Sequence, residues 1–337
     1  MCSTDDELDL AELDAVRVYS LPMRTRFRGV TTRQGVLLSG PAGWGEFCPF
    51  EDYSDVDSAP WLRAALESCF ESWPEPRRDA VPVNCTVPAV DPERAHRIVA
   101  DSGCRTAKVK VAETGQPESA DIERLVAVRA ALGSSGAVRV DANAAWDIDT
   151  AVRRIRELDR AASGLEYVEQ PCPTVPELAA VRRRVDVRIA VDESIRRAAD
   201  PLRVAVAEAA DVAVIKATPL GGVRRALRVA EACGLPCVVS SAVESSVGLA
   251  AQLALAGALP ELPFACGLGT VALLEGDMVS DSLLPVNGWL PVPRRAPTPS
   301  PALVAAATPP AETQHRWLDR LRRVHDVMPR HDVEESE

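Results

Sequence analysis

Lysine is nearly absent. Of the 38 basic side chains in this 337-residue sequence, Lys108, Lys110 and Lys216 are lysine and the other 35 are arginine. Histidine is almost as scarce: His96 stands in a polar helix start, and His315, His325 and His331 lie near the C-terminus. All four read as surface residues, which argues against histidine catalysis or a histidine-ligated zinc. The nine cysteines are an odd number, scattered from Cys2 to Cys266 without a Cys-x-x-Cys pair. That pattern suits reduced thiols filling a core, not a disulfide framework or a zinc site. No segment approaches the roughly 18–20 apolar residues of a membrane span, and MCSTDDELDL at the start is acidic where a signal peptide is basic and then apolar. No block of basic residues occurs, and the net charge is -11 at pH 7, which disfavours a nucleic-acid partner. What remains is a cytoplasmic protein acting on a small molecule. Nothing here fixes an oligomeric state, and a monomer is compatible with it.

What the sequence does contain is rhythm. From residue 81, short runs rich in Val, Ile and Ala alternate with longer amphipathic stretches: VPVNCTV, TAKVKVA, AVRVDAN, EYVEQP, RIAVDES, VAVIKAT, CVVSSAVE and FACGLG. These are eight candidate strands, separated by helix candidates such as DPERAHRIVADSG and GGVRRALRVAEACG. No glycine-rich phosphate turn follows the first strand, so a modified (β/α)8 barrel over 81–282 fits better than an open doubly wound sheet. Residues 1–80 read as a smaller α+β unit that caps the barrel, and 283–296 as chain returning to it. The remaining 297–337 is a Pro/Ala-rich linker, a short amphipathic helix candidate and an acidic end, expected to be mobile.

In a parallel barrel, catalytic groups sit at the C-terminal ends of strands. Charged residues interrupt five of the runs there: Lys108 and Lys110 in the second, Asp141 in the third, Glu169 in the fourth, Asp192 with Glu193 in the fifth, and Lys216 in the sixth. The period of two puts Lys108 and Lys110 on one face, pointing into the barrel mouth, while Val109 and Val111 pack the other. Singly, each carboxylate is equally a helix cap at a βα turn. Jointly, Asp141, Glu169 and Asp192 lie about one βα unit apart and converge, so they would repel without a cation between them. A hard divalent ion with oxygen ligands, Mg2+ with Mn2+ as a substitute, meets that need. Arginine stays protonated, whereas lysine beside other cations can lose its proton, so the three lysines are expected where a proton moves or a compact cation faces substrate.

Lys-x-Lys, Asp, Glu, Asp and Lys on successive strands resemble the enolase superfamily, in its muconate-lactonizing-enzyme-like subgroup. MRTRFRG (23–29), GPAGWGEFCPF (40–50), VDANAAWD, EYVEQPCP, AVDESI, SSAVESSVGLAAQ (240–252) and CGLGTVALLEGD narrow the likeness to actinobacterial members acting in menaquinone biosynthesis. The resemblance implies a capping domain built from both chain ends. It also implies syn loss of water from 2-succinyl-6-hydroxy-2,4-cyclohexadiene-1-carboxylate, giving o-succinylbenzoate through a metal-stabilised enediolate. Lys110 would remove and return the proton, Lys216 would face the opposite side of the ring, and Lys108 would tune Lys110. Asn143 is a partner of the metal ligands. Glu193, Ser240, Ser241, Gly267 and Leu268 are placed to contact substrate. Trp44 and Phe27, on the capping segments, would close the site, against a plainer reading as a packed indole and a basic turn.

Four alternatives stay open. N-succinylamino acid racemisation uses the same two lysines. Dipeptide epimerisation is disfavoured, as is muconate cycloisomerisation, the former because CGLGT stands where epimerases carry Asp-x-Asp. A barrel that only binds a ligand would have no reason to keep lysine amid so much arginine.

Overall fold

The computed structural model describes residues 10–27, 29–196 and 208–328. Three antiparallel strands open the chain: β1 (Ala15–Phe27), β2 (Val30–Gly40) and β3 (Gly43–Phe47), in the order β1-β2-β3. Helix α1 (Asp55–Phe70) covers them, its first turn capped by Ser54 Oγ, which accepts from Asp57 N at 3.1 Å. The helix lies so close that a Cβ on Gly45 would stand 2.1 Å from Ala65 O, which accounts for glycine within GWGEF.

A parallel sheet follows. Its strands are β5 (Cys85–Val87), β6 (Thr106–Lys110), β7 (Ala137–Asp141), β8 (Tyr167–Glu169), β9 (Ile189–Val191), β10 (Val212–Ile215) and β11 (Cys237–Val239), neighbours in that order. They alternate with α2 (Pro92–Ser102), α3 (Glu118–Leu132), α4 (Ile148–Ala161), α5 (Val175–Arg182), the short α6 (Glu193–Arg196) and α7 (Ala217–Leu220), then α8 (Val223–Cys233) and α9 (Ser246–Ala258). The eighth run, FACGLG, forms no ladder of its own; it closes the curl through two single bridges, Val83 to Cys266 and Ser240 to Gly267. Below the mouth the interior is filled by Tyr167, Ala190, Val212, Val214 and Val238, with Phe264 against them. The buried Arg139 guanidinium donates to Asn84 Oδ1 and Ala265 O and lies 4.7 Å over the Tyr167 ring. The outer faces of the strands pack on the helices as one large apolar cluster.

The chain end departs from expectation in two ways. Residues 289–291 (β12, Trp289–Pro291) pair antiparallel with β4 (Ala80–Pro82) rather than with the capping sheet. It is Met23, bridged to Leu274, and the buried Met278, Val279 and Ala296 that join the return chain to the cap core. The segment expected to be mobile forms α10 (Pro301–Ala306) and α11 (Ala311–Val327). Pro301 stands at the start of α10, where a missing N–H is harmless. Trp317, Leu321 and Val324 of α11 are buried in the cap core beside Phe47, Trp61 and Leu62. Arg28 of MRTRFRG and the acidic end at 331–337 lie outside the described residues.

Candidate active site

The strand period does what the sequence requires. Lys108 and Lys110 share the inner face of β6, while Val109 and Val111 sit in the outer core. Asp141 and Glu169 end β7 and β8 and are paired in register. Asp192 and Lys216 are the first residues past β9 and β10. All six are buried, the carboxylates at 1% exposure each.

They form an alternating array of charge. Lys108 Nζ donates to both oxygens of Glu169, at 3.1 and 2.9 Å, and stands 3.7 Å from Asp141 Oδ2. Lys110 Nζ donates to Asp141 and, at 2.8 Å, to Asn143 Oδ1, and lies 5.1 Å from the Phe27 ring centre. Lys216 Nζ donates to Asp192 Oδ2 at 2.5 Å, whose Oδ1 accepts from Arg196 Nε at 3.1 Å. Burial raises Glu169, and the Asp141 charge beside it adds to that, so its carboxyl is pushed up to about 7 in spite of Lys108. Asp192 goes the other way: burial would raise it, but Lys216 and Arg196 hold it well below the usual carboxylate range. Burial opposes the charge on Lys108, yet Glu169 and Asp141 outweigh it and keep the ammonium more strongly protonated than usual. Carboxylates thus stand between the cations, and Lys108 is the lysine they hold charged.

Among the described residues, no three His, Cys, Asp or Glu side chains surround a common point as metal ligands do; each carboxylate is turned to a lysine or arginine instead. The donor set still fits a hard divalent cation. Three buried carboxylates stand on adjacent strands, and burial first, then the Asp141 charge, raise the Glu169 carboxyl above its ordinary range, a shortfall of positive charge that a dication would supply. Nearby groups hold the ligand strands. Gln170 Oε1 accepts from Asp192 N at 2.9 Å, and its Nε2 donates to Ser194 Oγ at 2.7 Å, tying EQP to DES. Asn143 N donates to Asp141 Oδ1, and its Nδ2 to Glu193 Oε1 at 3.1 Å.

A narrow cavity opens over this array. Phe27, Asn143, Ser240, Ser241 and Gly267 line it with the three lysines, Asp141 and Asp192. A Cβ on Gly267 would meet Ser240 Oγ at 2.5 Å, so glycine is needed for closure there. Three expected residues do not line the cavity. Leu268 points into the outer core of the barrel, since the one-residue step from Gly267 reverses its face. Trp44 packs against the cap core. Glu193 stands behind the site, gripped by Arg196 Nη2 at 2.7 Å. Sequence reasoning missed Thr86, Phe50, Ala242, Val243 and Thr270, which also line the cavity, and Arg196. Thr86 had a signal, because it stands in register beside Lys108 on the neighbouring strand; Phe50 closes the motif GPAGWGEFCPF but was not singled out within it.

Residues 91–297 match the family model described as enolase C-terminal domain-like, and 18–69 the one described as enolase N-terminal domain-like. The chain belongs to the enolase superfamily, in its muconate-lactonizing-enzyme-like subgroup. Within the superfamily it is 63% identical over 300 residues to the o-succinylbenzoate synthase of Thermobifida fusca (strain YX), covering 89% of this chain and 94% of the relative. It is 50% identical over 317 residues to that of Mycobacterium leprae (strain TN), covering 94% and 93%. Two solved superfamily structures share the fold at low identity. The N-succinyl Arg/Lys racemase of Bacillus cereus ATCC 14579 has a TM-score of 0.72 at 19% identity, covering 88% of this chain and 98% of that one. The dipeptide epimerase of Enterococcus faecalis V583, complexed with Mg and a dipeptide, has 0.68 at 21%, covering 85% and 98%. No helix of the described residues is long and apolar enough to cross a membrane.

Proposed function

We propose that this chain is an o-succinylbenzoate synthase, a hydro-lyase that dehydrates 2-succinyl-6-hydroxy-2,4-cyclohexadiene-1-carboxylate in menaquinone biosynthesis. The observation that carries the reading is 63% identity over 89% of the chain to a protein of that name, together with two lysines on opposite sides of one buried mouth, Lys110 on β6 and Lys216 after β10.

Asp141, Glu169 and Asp192 would hold the cation, Mg2+ with Mn2+ as a substitute. Bound there, it would neutralise the substrate carboxylate and the negative charge that grows on it. Lys110 takes the proton α to the carboxylate, and the C–H electrons delocalise onto the carboxylate oxygens as the enediolate. They then return to form the ring double bond as the C–O bond breaks, and Lys110 gives the proton to the departing hydroxyl, which leaves as water. One residue serves both ends because loss is syn. Lys216, across the mouth, stabilises the developing enediolate charge. Lys108, strongly protonated on Glu169, keeps a fixed positive charge beside Lys110. Asn143, Ser240 and Ser241 orient the substrate, and Phe27 and Phe50 exclude water. The eight described cysteines are all free and buried, which supports a cytoplasmic setting.

The test is conversion of the cyclohexadiene carboxylate by purified protein, followed by the absorbance of the aromatic product. Chelation should abolish turnover and Mg2+ restore it, while full activity in metal-free protein would refute the cation assignment. Because Lys110 and Lys216 flank the cavity, N-succinylamino acids belong in the same assay. Racemisation without dehydration would replace this reading by the other.

A further inference from the structure

The family match ends at residue 297, and α11 lies beyond it. The helix nevertheless reaches the site. Arg320 is 9% exposed, and its Nη2 donates to Phe50 O at 2.9 Å, Tyr53 O at 2.8 Å and Ser58 Oγ at 3.0 Å. One guanidinium nitrogen, its two N–H groups shared among three acceptors, thus ties two carbonyls of the turn between β3 and α1 to the first turn of α1. Of the two residues held by their backbones, one lines the cavity and the other reaches a partner of Asp192. The Phe50 ring lines the cavity, with the Arg33 guanidinium 4.5 Å over it. The Tyr53 hydroxyl accepts from Arg196, the residue that donates to Asp192 Oδ1 and Glu193 Oε1. Attachment of α11 does not by itself call for a buried cation, since Trp317, Leu321 and Val324 already anchor the helix in the cap core.

We propose that Arg320 is a positioning residue for the active site. From the C-terminal helix it sets the Phe50–Tyr53 turn, so that Phe50 walls the cavity and the Tyr53 hydroxyl orients Arg196 against Asp192. The inference rests on the reading of Asp141, Glu169 and Asp192 as ligands of a divalent cation. Groups behind metal ligands typically alter affinity about 10- to 100-fold when removed.

The experiment titrates full-length protein with Mg2+ by calorimetry, without substrate, so that it does not depend on the reaction. Arg320→Met should raise the Kd for Mg2+ about tenfold, and Tyr53→Phe should do the same. The double variant should lose no more than either alone, because both break one path. Val324→Ala removes an apolar anchor of the same helix; it should lower the melting temperature and leave Mg2+ affinity unchanged. Wild-type affinity in Arg320→Met, or an equal loss in Val324→Ala, would mean that α11 contributes stability alone and overturns the proposal. If Arg320→Met fails to fold, Tyr53→Phe decides, since it keeps the backbone contacts of Arg320 and cuts only the link to Arg196; wild-type affinity there also overturns it. A wild-type protein that binds Mg2+ but leaves the cyclohexadiene carboxylate unchanged refutes the dehydratase reading, and the Mg2+ titrations still decide the role of Arg320. A wild-type protein that does not bind Mg2+ overturns both.

Discussion

Lys110 differs from the 35 arginines elsewhere in having an accessible neutral form, and that difference can be measured. Lys110→Arg keeps the charge and nearly the length, and Asp141 and Asn143 remain in place to receive it. The variant should fold with a wild-type melting temperature. Its rate of dehydration should fall by roughly 10²- to 10⁴-fold, the range associated with losing a general base. Single-turnover kinetics would check this, and a folded Lys110→Arg protein that dehydrates at the wild-type rate would exclude Lys110 as the base. Lys216→Arg retains a cation after β10, so it should slow dehydration less while abolishing any racemisation, which needs a proton carrier on each face of the substrate. The Lys108 ammonium, held protonated by two carboxylates, fits a fixed charge better than a proton carrier.

Strands carry the site in the fold, and their last residues carry the strain. Ala112, Asn143, Ala144, Gln170 and Val243, all non-glycine, have positive φ just past the ends of β6, β7, β8 and β11. Left-handed backbone costs an L-residue about 1–2 kcal/mol, and here it turns the chain sharply so that the preceding side chains stay aimed at the mouth. Ala112, at φ 60, keeps its N–H bonded to Asp121 Oδ2 at 3.1 Å, and glycine there would keep it too. Ala112→Gly should therefore stabilise the protein by about 0.5 kcal/mol, after the entropy glycine adds to the unfolded chain is subtracted. The urea midpoint would report it, and a drop would show that the backbone at 112 is not strained. These elements also explain what could be read from sequence. Lys108, Lys110, Asp141, Glu169, Asp192 and Lys216 were legible because each breaks an apolar run at a strand end. Arg196, Tyr53 and Arg320 were not, since contacts among positions so far apart leave no local pattern. The eighth strand was overread because FACGLG has the composition of a strand but contributes only two bridges. The tail was underread because its prolines suggested a linker, whereas Pro301 opens a helix.

Cap and barrel are joined by carboxylates of the one seated at helix starts of the other. Glu46 of β3 accepts from Ser245 N at 3.1 Å and Gly248 N at 2.8 Å, at the start of α9. Glu67 of α1 accepts from Val223 N at 2.5 Å and Arg224 N at 3.0 Å, at the start of α8, where Gly222 offers no side-chain cap. Helix α8 thus takes from the cap the acceptors that an N-cap residue would provide, while α9, whose own Ser245 Oγ accepts from Val247 N at 3.2 Å, takes a further one, and both keep a glycine where the carboxylate comes close. A Cβ would stand 2.9 Å from Glu46 at Gly248 and 2.4 Å from Glu67 at Gly222, and Gly222 has φ 115 besides. The two parts should therefore unfold as one. Glu67→Gln keeps one acceptor oxygen and turns an amine toward the other N–H, which should cost about 1–3 kcal/mol for a buried donor left unmatched. Gly222→Ala should cost at least as much, by pushing Glu67 away and forcing alanine into backbone it rarely adopts. Because both changes break the same contact, the double variant should lose less than the sum of the two. Denaturation followed by tryptophan fluorescence, weighted toward the cap by Trp44, Trp61 and Trp317 once the barrel's Trp146 is replaced by Phe in every protein compared, and by circular dichroism, dominated by the barrel helices, should give coincident transitions in the wild type and each variant. If the two probes separate in the wild type, or the two losses simply add, Glu67 does not clasp the barrel to its cap.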